Sequence, residues 1–174
     1  MTGPREIPPE QLKEILEDHR KWVESKGKEG KRANLRGARL WGVHLVGANL
    51  SGADMGEAIL ARASLVTADL SRVNFSGANL WEADLSGANL SDAHLRGANL
   101  EGTNLEGANL GRASLGRASF AKANLQRANL RSAYTINADF RGADLTDAIG
   151  LTEAQIRSAI TDEETKLPGE HPIR

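Results

Sequence analysis

A five-residue unit recurs without a slip from Ala33 to Asp147, and nothing else in the sequence constrains the fold so tightly. Each of the twenty-three units reads small, polar, large apolar, then two variable residues. The large residue falls on every multiple of five. It is Leu, Met55 or Phe (Phe75, Phe120, Phe140) in twenty-two units, and Thr135 is the exception. The small residue is Ala except at Val43, Val73 and Thr103, and the polar one is Asn or Asp in fifteen units. A period of five matches neither the 3.6 of a helix nor the 2 of a strand. It does match a square coil in which each unit makes one side and one corner, so that four units, about twenty residues, close a turn. The small and large residues then point inward, and residues twenty apart become neighbours in adjacent coils. The prediction is an all-β solenoid, a four-sided β-helix of nearly six coils. Coils stacked at roughly 4.8 Å give a rod about 28 Å long whose backbone hydrogen bonds run between coils.

The remaining positions agree with this geometry. A narrow four-sided coil leaves room for Ala at the first position and for little more than Val or Thr. Gly fills the fifth position ten times, Gly37, Gly47, Gly87 and Gly107 among them. A tight corner in every unit accounts for that Gly, and for an Asn or Asp whose short side chain bonds nearby backbone groups. Units such as Ala-Asn-Leu-Ser-Gly, Ala-Asp-Leu-Ser-Gly and Ala-Asn-Leu-Arg-Gly resemble the pentapeptide-repeat family, over about two thirds of the chain. The resemblance implies a right-handed four-sided β-helix with the central Leu or Phe and the preceding Ala inside. It implies much less about function.

Both ends of such a rod need a cover, because an open coil is bare apolar surface and unpaired strand edge. Residues 1–32 are read as an N-terminal segment holding that cover. Leu12, Ile15, Leu16, His19, Trp22 and Val23 recur at helical spacing behind Pro8 and Pro9. A basic linker, Ser25 to Arg32, follows with four positive charges and one negative. Residues 33–150 are the repeat region. Residues 151–174 are read as a short C-terminal capping helix and a polar tail: Thr152 and Gln155 form a capping-box pattern, and Leu151, Ile156 and Ile160 supply an apolar face. The 174 residues suffice for one domain, and an aromatic content of 4% suits a core of Leu and Ala. With no cysteine, disulfides and thiolate metal sites are excluded. No apolar run has the length of a signal peptide core or a membrane span, so a cytoplasmic protein without membrane attachment is expected.

The twenty-residue register also tests for chemistry. His44, Ser64 and Asp84 stack on one side, but Ser64 separates the base from the acid, which is the wrong order for a hydrolytic triad. His94 has Asn74 and Ser114 as neighbours and no carboxylate to orient it. The four histidines show no metal-ligand spacing, and the glycines never open a helix as a phosphate loop does. No enzyme activity, cofactor, metal or small-molecule substrate is expected.

The candidate interaction patch is Trp41 with Ile59, Arg62 and Trp81. The two tryptophans occupy one outward column, two coils apart at roughly 9 to 10 Å, with Ala61 between them. Arg and aromatic side chains concentrate binding energy in interfaces. The competing reading has the N-terminal segment folded over Trp41. Val46 and Val66 extend the apolar surface on the next corner. Thr135 is expected to repack locally, turning Ile136 inward, or to shape a self-association surface, since the resemblance includes proteins that dimerise through their C-terminal ends. The function expected is a non-catalytic scaffold that binds a protein partner or itself, in the second case as a homodimer. The alternative implied by the resemblance is a mimic of B-DNA that binds DNA gyrase. Residues 33–150 carry eleven Arg and Lys against eleven Asp and Glu, a net of zero. A DNA mimic needs a strongly negative rod, and nucleic acid itself is an unlikely partner for a neutral one. The inserted loops implied for topoisomerase-contacting members are absent as well.

Overall fold

The computed structural model describes residues 3–169. Within it each pentad makes one β-turn. The Ala38 N–H donates to the Leu35 carbonyl at 3.0 Å, and the Leu40 to Val43 and Leu45 to Ala48 turns repeat that closure. The fifth residue of each pentad, third in its turn, has positive φ, the requirement of a type II turn. Glycine meets it without strain at Gly37 (φ 64) and Gly107 (φ 65), yet Arg62, Lys122 and Thr67 adopt it too, at φ 57, 57 and 54. The turn is therefore imposed by the stack, at about 1 to 2 kcal/mol for each residue that is not glycine.

What imposes it is the register. Parallel bridges join residues twenty apart through the whole repeat. A first side runs Asn34, Asp54, Asn74, His94, Ser114, Tyr134, and the second begins at Arg39, the third at His44 and the fourth at Asn49. The Leu45 N–H donates to the Ser64 carbonyl at 2.7 Å, and the Ser64 N–H to the Val43 carbonyl at 2.9 Å. Backbone pairing thus runs along the rod axis, and the polar second position reinforces it twice. Its carboxyl or amide oxygen accepts the N–H two residues on, as from Ser51 to Asn49 at 3.1 Å. Its amide also donates to the residue one coil back, as from Asn109 to Asn89 (3.2 Å) and from Asn129 to Asn109 (3.1 Å). Inside, the column of Leu, Met55 and Phe is fully buried through the middle of the rod, and the Phe120 and Phe140 rings stack at 5.2 Å.

Helix α1, Pro9–Glu24, follows a segment in which Arg5 makes a single parallel bridge to Ala38 on the second side. Leu12, Ile15 and Leu16 pack against the core, as the helical spacing predicts, and Ile7 joins them from the segment before α1. The basic linker turns back tightly onto α1. The Lys31 N–H donates to the Asp18 carbonyl at 3.1 Å, and a Cβ at Gly30 would stand 2.1 Å from that oxygen, so only glycine fits there.

Helix α2, Glu153–Ser158, carries the capping box of Thr152 and Gln155. Two expectations at this end are corrected. Ile136 stays outside, at 44% exposure, because the Thr135 hydroxyl is satisfied where it is: it donates to the Gln155 carbonyl at 2.9 Å and lies 3.0 Å from the Ser158 hydroxyl. Ile160 does not pack inward from α2. It pairs by its backbone with Asp139, and Lys166 pairs with Asp144, so two sides gain a further layer beyond residue 150. Burial acts to raise the Asp144 carboxyl, but hydrogen bonds from Thr146, Gln126 and Lys166 outweigh it and hold the group well below the usual carboxylate range. The end of the polar tail, 170–174, lies outside the described residues.

Candidate functional site

The turn after the second side places Trp41, Ala61 and Trp81 in one column, as the register requires. They are not equivalent. Trp41 is 61% exposed, and Val46 on the adjoining corner is 60% exposed. Trp81 is half-buried: the Arg62 guanidinium lies 4.9 Å from its ring centroid, and the Arg62 Nε–H donates to Glu82 at 2.9 Å. Ala61, between the indoles, is only 5% exposed. Ile59 is half-buried in the second side, bridging Arg39 and Asn79. The four candidate residues are thus neighbours, but three of them are engaged within the rod. Trp41 is the one that presents a large free apolar face.

The tryptophan that the N-terminal segment does cover its end with is Trp22. Its indole lies over Gly52, 3.8 Å from where a Cβ would stand, and stacks on His19 at 5.5 Å between centroids. His19 is fully buried, and its Nδ1 accepts the Ala33 N–H at 3.0 Å. Nε2 has no hydrogen-bond partner among the described residues. Burial holds the His19 imidazole below its ordinary value and the nearby Arg32 charge adds to that, while the Ser51 carbonyl pulls the other way without closing a well-formed hydrogen bond. The helical spacing identified His19 as a cap residue. Its polar link to the first coil had no signal in the sequence.

His44, Ser64 and Asp84 form one bridged column, with Ser64 between base and acid. Asp84 accepts from the Asn104 amide at 3.2 Å, so its carboxylate belongs to the amide ladder. His94 lies between Asn74 and Ser114. Among the described residues no group of His, Asp and Glu could hold a metal ion, and no helix is long and apolar enough to cross a membrane.

No match was found among curated proteins. The fold is similar to that of a trypsin-treated variant of QnrB1, a plasmid-mediated fluoroquinolone resistance protein, with 22% identity over 79% of this chain and 78% of that one and a TM-score of 0.52. A pentapeptide repeat protein from the thylakoid lumen of Arabidopsis thaliana matches with 30% identity over 69% of this chain and 72% of that one, at a TM-score of 0.40. HetL, a pentapeptide repeat protein involved in heterocyst differentiation regulation in the cyanobacterium Nostoc, matches with 31% identity over 78% and 70% of the two chains, at a TM-score of 0.31. The family model for pentapeptide repeats matches in eight copies, over residues 31–65, 68–107, 98–134, 108–149 and 123–160. The unbroken register and this match lead to one conclusion: the chain belongs to the pentapeptide-repeat family and folds as its right-handed β-helix.

Proposed function

We propose that the protein is a non-catalytic binding rod of nearly six coils, in which residues 33–150 present the working surfaces and residues 1–32 and 151–174 close the ends. The observation that supports this reading is Trp41, whose indole is 61% exposed on a corner where the repeat needs no large residue. With Val46 beside it, Trp41 makes an apolar patch at the N-terminal end, of the kind that marks protein contacts. The partner engaged there is another protein or a second copy of the chain. A gyrase-binding mimic of B-DNA is disfavoured, since such a rod must be negative on every side and this one is neutral.

The test is Trp41→Ser. Its melting temperature should stay within a few degrees of wild type, because the indole leaves little to unpack. Solution mass measured across a concentration series, or photo-crosslinking from a probe at the neighbouring Val46 in extract of the native cell, should differ between the wild-type and Trp41→Ser backgrounds. A monomer at every concentration, together with crosslinks from position 46 no different from those at Ala121, would remove the patch from consideration. Inhibition of supercoiling by micromolar protein would revive the gyrase alternative.

A further inference from the structure

Most arginines of the repeat pair with an acid, and those that do not gather on one surface. Ion pairs join adjacent coils: Arg62 to Glu82 and Arg112 to Asp92 across twenty residues, Arg36 to Glu57 and Arg127 to Glu106 across twenty-one. Arg96, Arg117 and Arg131 have no ion pair among the described residues, and Arg72 makes none within 4 Å although its charge acts on Asp92 one coil away. All four flank the first side, Arg72 and Arg131 at the turn before it and Arg96 and Arg117 at the turn after it.

The neutral rod is therefore polarised around its axis. The first side and its turns (33–37, 51–57, 71–77, 91–97, 111–117 and 131–137) carry six arginines against three acids, Asp54, Glu57 and Asp92. The opposite, third side and its turns (41–47, 61–67, 81–87, 101–107, 121–127 and 141–147) carry four cations against six acids. The excess is greatest in the distal half of the first side. There Arg96, Arg112, Arg117 and Arg131 face a single acid, Asp92, which Arg112 engages with two hydrogen bonds of 2.8 and 2.6 Å.

Stability alone does not select this arrangement. Arg96 and Arg117 stand one coil apart on the same corner, where like charges repel. The side between them is shaped for contact. His94 is exposed, and Tyr134 is 54% exposed with its ring over Gly116, where a Cβ would stand 3.2 Å from the ring edge. A shallow pocket of about 470 Å³ opens between Arg112 and Arg131, floored by Ser91, Gly111 and Ser132.

We propose that this surface, built on Arg96, Arg112, Arg117 and Arg131 with His94 and Tyr134, docks an acidic, Asp- and Glu-rich segment of a partner protein. Guanidinium groups pair with carboxylates through two parallel hydrogen bonds, and three free arginines in adjacent coils match a run of carboxylates on an extended chain. The surface spans three coils, roughly 10 to 15 Å. That is short for nucleic acid, whose affinity accumulates over about six to ten phosphate contacts. The exposed Tyr134, with Ile136 at 44% exposure beside it, offers apolar contact at one end that a protein segment can use. The proposal shares with the preceding one only the idea of a binding rod, and it concerns a different side.

The test uses the full chain and a fluorescein-labelled twelve-residue oligoglutamate, read by anisotropy. Saturable binding is expected at 50 mM salt, weakened about tenfold or more at 300 mM as surface charge is screened. Arg96→Glu/Arg117→Glu/Arg131→Glu should lose tenfold or more in affinity. Lys122→Glu/Arg127→Glu/Arg141→Glu, with the same charge change on other corners, should stay within threefold, and Trp41→Ser within twofold. If the first variant does not keep its circular dichroism spectrum, Arg96→Gln/Arg117→Gln/Arg131→Gln gives the same reading. No binding, or equal losses in the two charge-reversed variants, would overturn the proposal. Tighter binding of a twelve-nucleotide single strand would overturn it in favour of nucleic acid. A dimer that the first variant alone converts to monomer would do so in favour of a second copy.

Discussion

The two ends of the rod solve one problem by different physics. At the N-terminus α1 lays a sixteen-residue amphipathic face on the first coil, with Leu12, Ile15 and Leu16 against the core and His19 as its one buried polar link. At the C-terminus α2 has six residues and no fully buried one. It holds by hydrogen bonds instead. The Gln155 amide donates to the Ala133 carbonyl at 2.8 Å, the Thr135 hydroxyl donates to the Gln155 carbonyl, and the chain then adds a layer through Ile160 and Lys166. An apolar cover tolerates small changes of position, because the burial it depends on has no direction. A hydrogen-bonded cover depends on each partner, and loses the full desolvation cost of any group left unpaired.

The rod between the ends sets the scale. Leu85 is fully buried in its middle, and Leu85→Ala should lower stability by about 2 to 5 kcal/mol in urea melts. A loss below about 0.5 kcal/mol would contradict the packing described. The C-terminal end predicts a result opposite to repeat consensus. Thr135→Leu restores the residue found at nearly every other multiple of five, yet it should cost about 0.5 to 1.5 kcal/mol, because the Gln155 carbonyl and Ser158 hydroxyl each lose Thr135 and keep only the bond to each other. A gain in stability would show that α2 is held by packing, as α1 is, and the contrast between the ends would collapse. Within the rod, Thr67 is a β-branched residue at φ 54. Thr67→Gly should raise stability by about 1 kcal/mol, relieving strain that the glycine corners do not carry.

These residues also show what the sequence could and could not reveal. The side-and-corner geometry, the inward columns and the twenty-residue register were legible because a coil admits one inward pattern and any slip would have broken it. The two helices were legible for ordinary reasons, helical spacing in α1 and a capping box in α2. Thr135 was visible as an irregularity, but the meaning of its hydroxyl depends on where α2 crosses the last coil, which no local pattern encodes. The tryptophan column was placed correctly, yet the difference between Trp41 and Trp81 rests on the rotamer of Arg62. The arginines of the first side were hidden in the zero net charge of residues 33–150. Sorting the charges by side shows their excess, and assigning ion pairs shows which of them are unpaired.

Acid should separate the two ends most finely. His19 donates nothing through Nδ1, because that atom accepts the Ala33 N–H, so protonating the ring there must break the link between α1 and the first coil. Burial and the Arg32 charge hold the folded His19 below its ordinary value, near 6.5 in a free chain. The native state therefore binds fewer protons than the unfolded one. The stability that His19 contributes is full above about pH 6.5 and declines as pH falls through that value toward the lower folded one. Asp144 at the other end is a carboxylate held low by its hydrogen bonds, so its contribution persists until pH falls below the ordinary carboxylate value near 3.9. Between pH 7.5 and pH 5 only the N-terminal end should loosen. Amide exchange, corrected for its intrinsic pH dependence, should show protection falling in α1 while Ile160 and Lys166, whose N–H groups pair with the last coil, stay unchanged. In His19→Leu the pH dependence of α1 should disappear, although its protection starts lower because the Ala33 N–H has lost its acceptor. Parallel loss of protection at both ends of the wild-type rod would mean that acid acts on the rod as a whole and not through His19.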